Sequence, residues 1–158
     1  MKRITLCLAL LAALLLAGCV KTDYTAVDAQ KLTATVERKG AVTEIAASGD
    51  AFSLDHPEAL VARVLFADSE AGWSGAFWEF DSEAAAKACF ARLTEAYQPP
   101  QTFSPGEGYD RFETTLDGGA QPVVRVVRVH GTVLLASCAD TQAGRSAVTA
   151  LLKTLRYN

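Results

Sequence analysis

The hydrophobic pattern begins with a charged and then apolar N-terminus. Lys2 and Arg3 precede a Leu- and Ala-rich run from Ile4 to Ala17, and Gly18 follows it. The run is shorter than the ~20 apolar residues that a membrane-spanning helix needs. A positive start, a short apolar core and a small-residue end are typical of a secretory signal peptide.

Beyond residue 24, apolar residues recur either every three to four positions or every second position, which predicts three helices and six strands. The predicted helices are 25–39, 82–97 and 140–156, and the predicted strands are 41–46, 60–67, 73–80, 109–116, 121–129 and 132–138. The order α-βββ-α-βββ-α indicates an α+β fold with one antiparallel sheet and helices packed on one face. A hairpin followed by a helix occurs twice, at 60–97 and 121–156, which suggests an internal duplication.

Turn residues separate these elements. Asp23 or Thr25 is expected to cap the first helix, and Gly40 to end it. The pair His130-Gly131 fits a two-residue hairpin turn in which His130 takes a positive φ. Two longer connections are expected, one at 48–57 around Asp55-His56-Pro57 and one at 98–108 with Phe103 at its centre.

The apolar run ends in Leu16-Ala17-Gly18-Cys19, which resembles a bacterial lipobox. The resemblance implies that the Cys19 thiol receives a diacylglyceryl group, that residues 1–18 are removed and that the new N-terminus is often acylated, for example with palmitate. Residues 19–24 would then be a lipidated cysteine with a short tether, and 25–158 a single domain held outside the cytoplasm. The alternatives are an ordinary signal peptide with a coincidental cysteine and a retained transmembrane helix.

A second resemblance involves four groups of residues in the mature part. They are 36–40, 77–80 with 82–86, 126–129 with 132–135, and 151–157. In these stretches the chain resembles a group of small Gram-positive-type bacterial lipoproteins with no assigned activity. This resemblance implies the same layout and location, and it implies no chemistry.

Charge and composition exclude some classes of partner. Without Lys2 and Arg3 the chain has 13 basic and 18 acidic residues, a net charge of about −5. An acidic protein lacks the basic footprint of a nucleic-acid binder. Two histidines and no Cys-x-x-Cys pair argue against a structural zinc site, so neither metal nor cofactor is predicted.

The two cysteines of the predicted domain are Cys89 and Cys138. Cys89 falls on the apolar face of its helix, and Cys138 on the more apolar face of the last hairpin. A disulfide between them is a candidate, since such bonds persist outside the cytoplasm. Two buried thiols are the second interpretation, and a redox or nucleophilic cysteine the third.

Aromatic residues supply the best candidates for a binding surface. Strand alternation places Trp73 and Phe77 on one face of the sheet and Trp78 and Phe80 on the other. Either a second layer covers both faces, or some of these rings form an exposed contact patch. The candidate binding residues are Trp78, Phe80, Phe103 and Arg128. For Arg128, the alternatives are a solvent-facing position beside Ser137 and a pairing with a carboxylate.

These observations favour a non-enzymatic lipoprotein, anchored in the membrane through Cys19, that binds a protein or another envelope component near the membrane surface. An envelope enzyme or thiol-redox protein using Cys89 or Cys138 is one alternative. A purely structural lipoprotein is the other.

Overall fold

The structure is a computed structural model, and it describes residues 24–46, 59–97 and 102–157. The predicted signal peptide, Cys19 and the Asp55-His56-Pro57 connection lie outside the described residues.

Three helices and seven strands make up the described fold. In chain order they are α1 (Ala29–Glu37), β1 (Val42–Ala46), β2 (Leu60–Asp68), β3 (Trp73–Phe80), α2 (Glu83–Ala96), β4 (Thr102–Gly106), β5 (Tyr109–Thr115), β6 (Val123–Val129), β7 (Thr132–Cys138) and α3 (Gln142–Leu155). A side-chain oxygen caps the N-terminus of each helix, from Asp28, Ser82 and Thr141 respectively. The first cap is therefore Asp28, whose carboxylate accepts the Lys31 N–H at 2.7 Å, and not Asp23 or Thr25.

All seven strands form one antiparallel sheet in the order β1-β2-β3-β7-β6-β5-β4. The predicted fold class and element order are confirmed. The difference is β4, an additional edge strand within the predicted 98–108 connection. Phe103 of β4 pairs opposite Phe112 of β5, and the edge position tolerates Pro105 because its missing N–H faces no further strand.

The helices cover both faces of the sheet, so the prediction that they pack on one face was wrong. Helices α1 and α3 pack on the two-helix face, which carries Phe77 and Leu134. Helix α2 packs on the one-helix face, which carries Trp78 and Val126. The physical reason lies in the central strands, which are apolar on both sides. In β6 every residue except Arg125 is buried, and such a strand needs a layer on each face.

The repeated hairpin-and-helix unit is present, but its two copies are not arranged symmetrically. The copies meet at the antiparallel pair β3–β7. A two-fold axis through that pair would place α2 and α3 on the same face, whereas they lie on opposite faces. The repeat is therefore one of element order.

Candidate functional site

Three of the four predicted binding residues lie inside the protein. Trp78 and Phe80 are only 3% and 6% exposed, because α2 covers the face on which they lie. Arg128 is fully buried, and Phe103 alone is open to solvent, at 52%. The prediction of an exposed patch containing Trp78 and Phe80 is therefore not confirmed, and the alternative of a covering layer holds for both.

Phe103 forms one wall of a groove between β4 and α2. Its ring lies 6.3 Å from the ring of Phe90, which in turn packs edge-on at 5.6 Å against Phe112. The space beside them has a volume of about 320 Å³, which is in the range of small ligand sites. Its described lining residues are Phe90, Ala91, Thr94, Glu95, Phe103 and Asp110. We call this feature the Phe103 groove.

Arg128 contacts Asp110, which is one of the residues that line the Phe103 groove. The Arg128 Nε donates to the Asp110 carboxylate at 2.5 Å, and Nη1 donates to the His130 carbonyl at 3.2 Å. Of the two alternatives for Arg128, pairing with a carboxylate is the observed one. A buried ion pair of this kind contributes little net stability, yet removing one partner alone is costly because it leaves the other charge buried. Asp110 is thus held in place at the mouth of the groove.

A second polar arrangement lies at one end of the sheet, which we call the tether end. It comprises the β4–β5 turn (107–108), the β6–β7 turn (130–131) and the N-terminus of α2. Here the Tyr24 ring stacks on Tyr109, with ring centres 3.9 Å apart and planes 11° from parallel. The His130 ring joins the Tyr24 carbonyl, 3.0 Å from Nε2, to the Glu83 carboxylate, which contacts Nδ1.

The chemistry of these partners determines the form of His130 that fits best. A carbonyl and a carboxylate only accept hydrogen bonds, so both contacts are satisfied when both ring nitrogens carry protons. The hydrogen bond from His130 also lowers the pKa of Glu83, which keeps that carboxylate ionised. The ring therefore acts as a hydrogen-bonded clip between the N-terminal segment and the start of α2.

The next residues of the N-terminal segment are held by further hydrogen bonds, one of which involves Tyr157 near the C-terminal end of the described chain. The Val27 N–H donates to the Tyr157 hydroxyl at 2.9 Å, and that hydroxyl lies 2.8 Å from the hydroxyl of Thr132. Burial raises the pKa of Tyr157, so the hydroxyl stays neutral in this position. The Ala29 N–H donates to the Glu79 carboxylate at 2.9 Å, which satisfies an open donor of the first helical turn.

Backbone geometry at the tether end makes room for the His130 ring. His130 has the predicted positive φ, of 49°. Gly108 faces the ring with a φ of 68°, and a Cβ there would lie 2.6 Å from the ring carbon Cε1. The His130 N–H donates to the Gly108 carbonyl at 2.8 Å, which joins the two turns. Glycine at 108 is therefore required by both conformation and space.

The predicted disulfide between Cys89 and Cys138 is contradicted. Cys89 lies on the one-helix face and Cys138 on the two-helix face, so the sheet separates the thiols. Both are buried, which agrees with the second interpretation. Burial also raises the pKa of the Cys138 thiol, which disfavours the reactive thiolate. The disulfide prediction failed because it placed all helices on one face.

Other features of the described chain offer weaker candidates for a site. A larger space of about 630 Å³ lies along the outer side of α3, but all its described lining residues fall within 140–153, so it has no opposite wall in the described chain. Within the described ranges no three His, Cys, Asp or Glu side chains are grouped to hold a metal ion.

Sequence reasoning missed Tyr24, Glu83, Asp110 and Tyr157. Asp110 lies opposite Arg128 in the β5–β6 register, and the long connection at 116–122 does not fix that register in the sequence. The other three act across more than 20 residues of chain and leave no periodic signal.

In the part of the chain that the structure describes, no helix is both long and apolar enough to cross a membrane. No protein-family model, curated protein or solved structure matches the chain. Its function is therefore inferred from its own residues.

Proposed function

We propose that this chain is a bacterial lipoprotein, anchored through a lipid on Cys19 to the extracytoplasmic side of a membrane, and that its domain is a non-enzymatic binding module. The proposal is supported by Leu16-Ala17-Gly18-Cys19, which resembles a lipobox, and by Tyr24, five residues later, which belongs to the folded domain. Two or more acyl chains give stable membrane anchoring, whereas one chain is marginal.

The contact surface of the proposed module is the Phe103 groove. It combines an exposed aromatic ring with the carboxylate of Glu95 on an apolar wall, and the Asp110 carboxylate beside it is already paired with Arg128. Such a surface fits a segment of an extracytoplasmic protein that presents an apolar side chain next to a positive charge. An exposed aromatic beside a cavity is also the kind of residue on which binding energy concentrates.

The burial of both domain cysteines weighs against the thiol-redox alternative. A catalytic or redox cysteine needs an accessible thiolate and a neighbouring cation or base. Cys138 is 1% exposed and its pKa is raised, while His130 lies at the opposite end of β7. Labelling of the folded protein by a thiol reagent at a rate typical of an exposed cysteine would favour the alternative.

The anchor is tested by replacing Cys19. Cys19→Ser should abolish incorporation of labelled palmitate and release the protein from the membrane fraction, or leave it unprocessed there. Cys7→Ser, within the apolar run, is the matched control and should leave both properties unchanged. A Cys19→Ser protein that is still processed and still bound to the membrane would overturn the anchor.

The groove is tested by site-specific photocrosslinking in intact cells. A photoreactive amino acid replaces Phe103 in one variant and Val61 in the other, since Val61 is similarly exposed, at 61%, but lies outside the groove. The proposal expects a discrete crosslinked protein from position 103 and none from position 61. Equal crosslinking at both positions, or none at either, would favour the purely structural alternative.

A further inference from the structure

We propose that the tether end of the domain is the surface that lies against the lipid headgroups, with the opposite end of the sheet outermost. This inference rests on the proposed lipid at Cys19. It adds an orientation, because it names which surface of the domain faces the bilayer and which surfaces remain open to a partner.

The length of chain between Cys19 and Tyr24 limits how far the domain can lie from the lipid. Five peptide steps separate Cys19 from Tyr24, and at ~3.5 Å per fully extended residue they span at most ~18 Å. Tyr24 must therefore lie within that distance of the lipidated residue. A domain with a long linker could tumble freely, but this one is held close to the membrane.

Tyr24 belongs to the folded domain. Its ring stacks on Tyr109, its carbonyl bonds to His130, and three residues later Val27 bonds to the buried Tyr157. These contacts involve β5, the β6–β7 turn and the C-terminal residue of the described fold. The folded domain therefore includes Tyr24, which lies at the tether end of the sheet.

The distance between the two ends of the sheet also favours this orientation. The far end comprises the β2–β3 turn (69–72) and the β5–β6 connection (116–122). Strand β6 separates it from the tether end by seven residues, or about 20 Å at ~3.3 Å per residue. A domain turned with its far end on the bilayer would hold Tyr24 about 20 Å away, which is beyond the ~18 Å that the tether can span.

Charge is not the source of this orientation. The exposed ionisable groups around the tether end include Glu83, Glu107, His130 and Lys87, which are mixed in sign. A polybasic surface would be drawn to anionic lipid and would lose that attraction in salt. Here the covalent lipid and the short tether determine the orientation, so it should be insensitive to ionic strength.

The test compares the depth of two labels on the intact lipoprotein. Glu107→Cys and Asp117→Cys place a fluorophore on the tether-end and far-end turns, while the buried Cys89 and Cys138 remain unlabelled in the folded protein. The labelled proteins are reconstituted into phosphatidylcholine vesicles that contain a small fraction of headgroup-nitroxide lipid. Because the turns lie about 20 Å apart, quenching should be at least about twofold stronger at 107 than at 117.

Two outcomes separate this inference from the proposed function. If Cys19→Ser protein binds the vesicles as well as the native lipoprotein does, the anchor itself is wrong. If only the native lipoprotein binds but position 117 is quenched as strongly as 107, the anchor stands and the orientation is overturned. Equal quenching ratios in low and high salt are also expected, and a ratio that collapses in high salt would contradict a tether-determined orientation.

A further variant tests the role of the docked segment. Tyr24→Ala removes the ring stack on Tyr109 and should reduce the difference in quenching between 107 and 117, because the N-terminal segment is then held less firmly at the tether end. Lys87→Ala, also near the tether end but outside the stack, is the control and should leave the difference unchanged. An undiminished difference in Tyr24→Ala would show that the stack is not what orients the domain.

Discussion

The two ends of the sheet differ in what their contacts join. At the far end, Asp68 closes its own turn by accepting the backbone N–H groups of Glu70, Ala71 and Gly72, and Gln121 accepts hydrogen bonds from Ser74 and Ser137 of adjacent strands. These contacts join a turn to itself or to neighbouring strands.

The tether end instead joins the N-terminal segment, which lies outside the sheet, to strand and turn residues of the sheet and to Tyr157. The Tyr24 carbonyl is hydrogen-bonded to His130, 106 positions further along the chain. The Val27 N–H is hydrogen-bonded to Tyr157, 130 positions further along. Closing such long loops is costly in entropy, and the sheet offsets that cost because it brings the two parts of the chain together. One end of the sheet therefore holds the N-terminal segment in place, which would give the proposed lipid tether a defined point of attachment.

The largest expected effect comes from Tyr157, which holds the N-terminal segment from inside the protein. Tyr157→Ala should lower the free energy of unfolding by about 3–5 kcal/mol, as other buried aromatic truncations do. Tyr157→Phe should cost about 1–3 kcal/mol, because it leaves the Val27 N–H and the Thr132 hydroxyl without this partner. Urea unfolding of the purified protein measures both. Leu116→Ala, at the exposed far end, is the control and should change stability by less than about 0.5 kcal/mol.

Gly108 and Gly118 lie at opposite ends of the sheet, and both have a positive φ. Gly118→Ala, at the far end, meets open space and should cost only the strain of a positive φ, about 1–2 kcal/mol. Gly108→Ala carries the same strain and also pushes against His130, which should add about 1–3 kcal/mol. The difference in unfolding free energy between the two variants is the measured quantity. Equal costs would mean that the His130 ring is not held against Gly108.

His130 can be tested without disturbing the turn. Asparagine tolerates a positive φ, so His130→Asn removes the imidazole bonds to Tyr24 and Glu83 and keeps the backbone shape. We expect a loss of about 1 kcal/mol and faster amide hydrogen exchange at Val27 and Ala29. Exchange at Phe112, in the middle of β5, is the internal control. Unchanged exchange at Val27 would show that the clip does not hold the segment.

The smallest effect is the pH dependence of the Glu83–His130 contact. The pKa of Glu83 is lowered below its ordinary value of 4.5 by the hydrogen bond from His130. Its contribution to stability is therefore present above pH 4.5 and is lost as the pH falls through the lowered folded-state pKa. The effect is small because both side chains are half exposed. Glu83→Gln should remove this part of the acid dependence of the unfolding midpoint. Asp117→Asn is the comparison variant, and an identical acid dependence in the native protein and Glu83→Gln would contradict the assignment.

Local signals predicted most of the fold. The starts of the helices predicted at 82–97 and 140–156, the turn at His130-Gly131 and the alternation in β3 each depend on a few neighbouring residues, so they could be identified in the sequence and are confirmed. The short β4 was missed because it has no buried residue and contains Pro105, which is unfavourable in a strand away from an edge.

The distribution of helices over the two faces could not be predicted in the same way. The sequence pattern identifies which side of each helix is apolar, but not which face of the sheet that side will meet. This single ambiguity misplaced Cys89 relative to Cys138 and left Trp78 and Phe80 as surface candidates. The contacts at the tether end could not be predicted for a related reason, because only the complete sheet topology brings their partners together. Arg128 was identified as a candidate residue, but only the strand register shows its pairing with Asp110.

The most direct test of the proposed function is the mass of the N-terminal peptide of the protein isolated from its native membrane. The account predicts a peptide that begins at Cys19 and carries a diacylglyceryl group, with or without a further acyl chain. A peptide that begins at Met1, or one that begins at an unmodified residue after the apolar run, would contradict the lipid anchor and remove the basis for the proposed orientation.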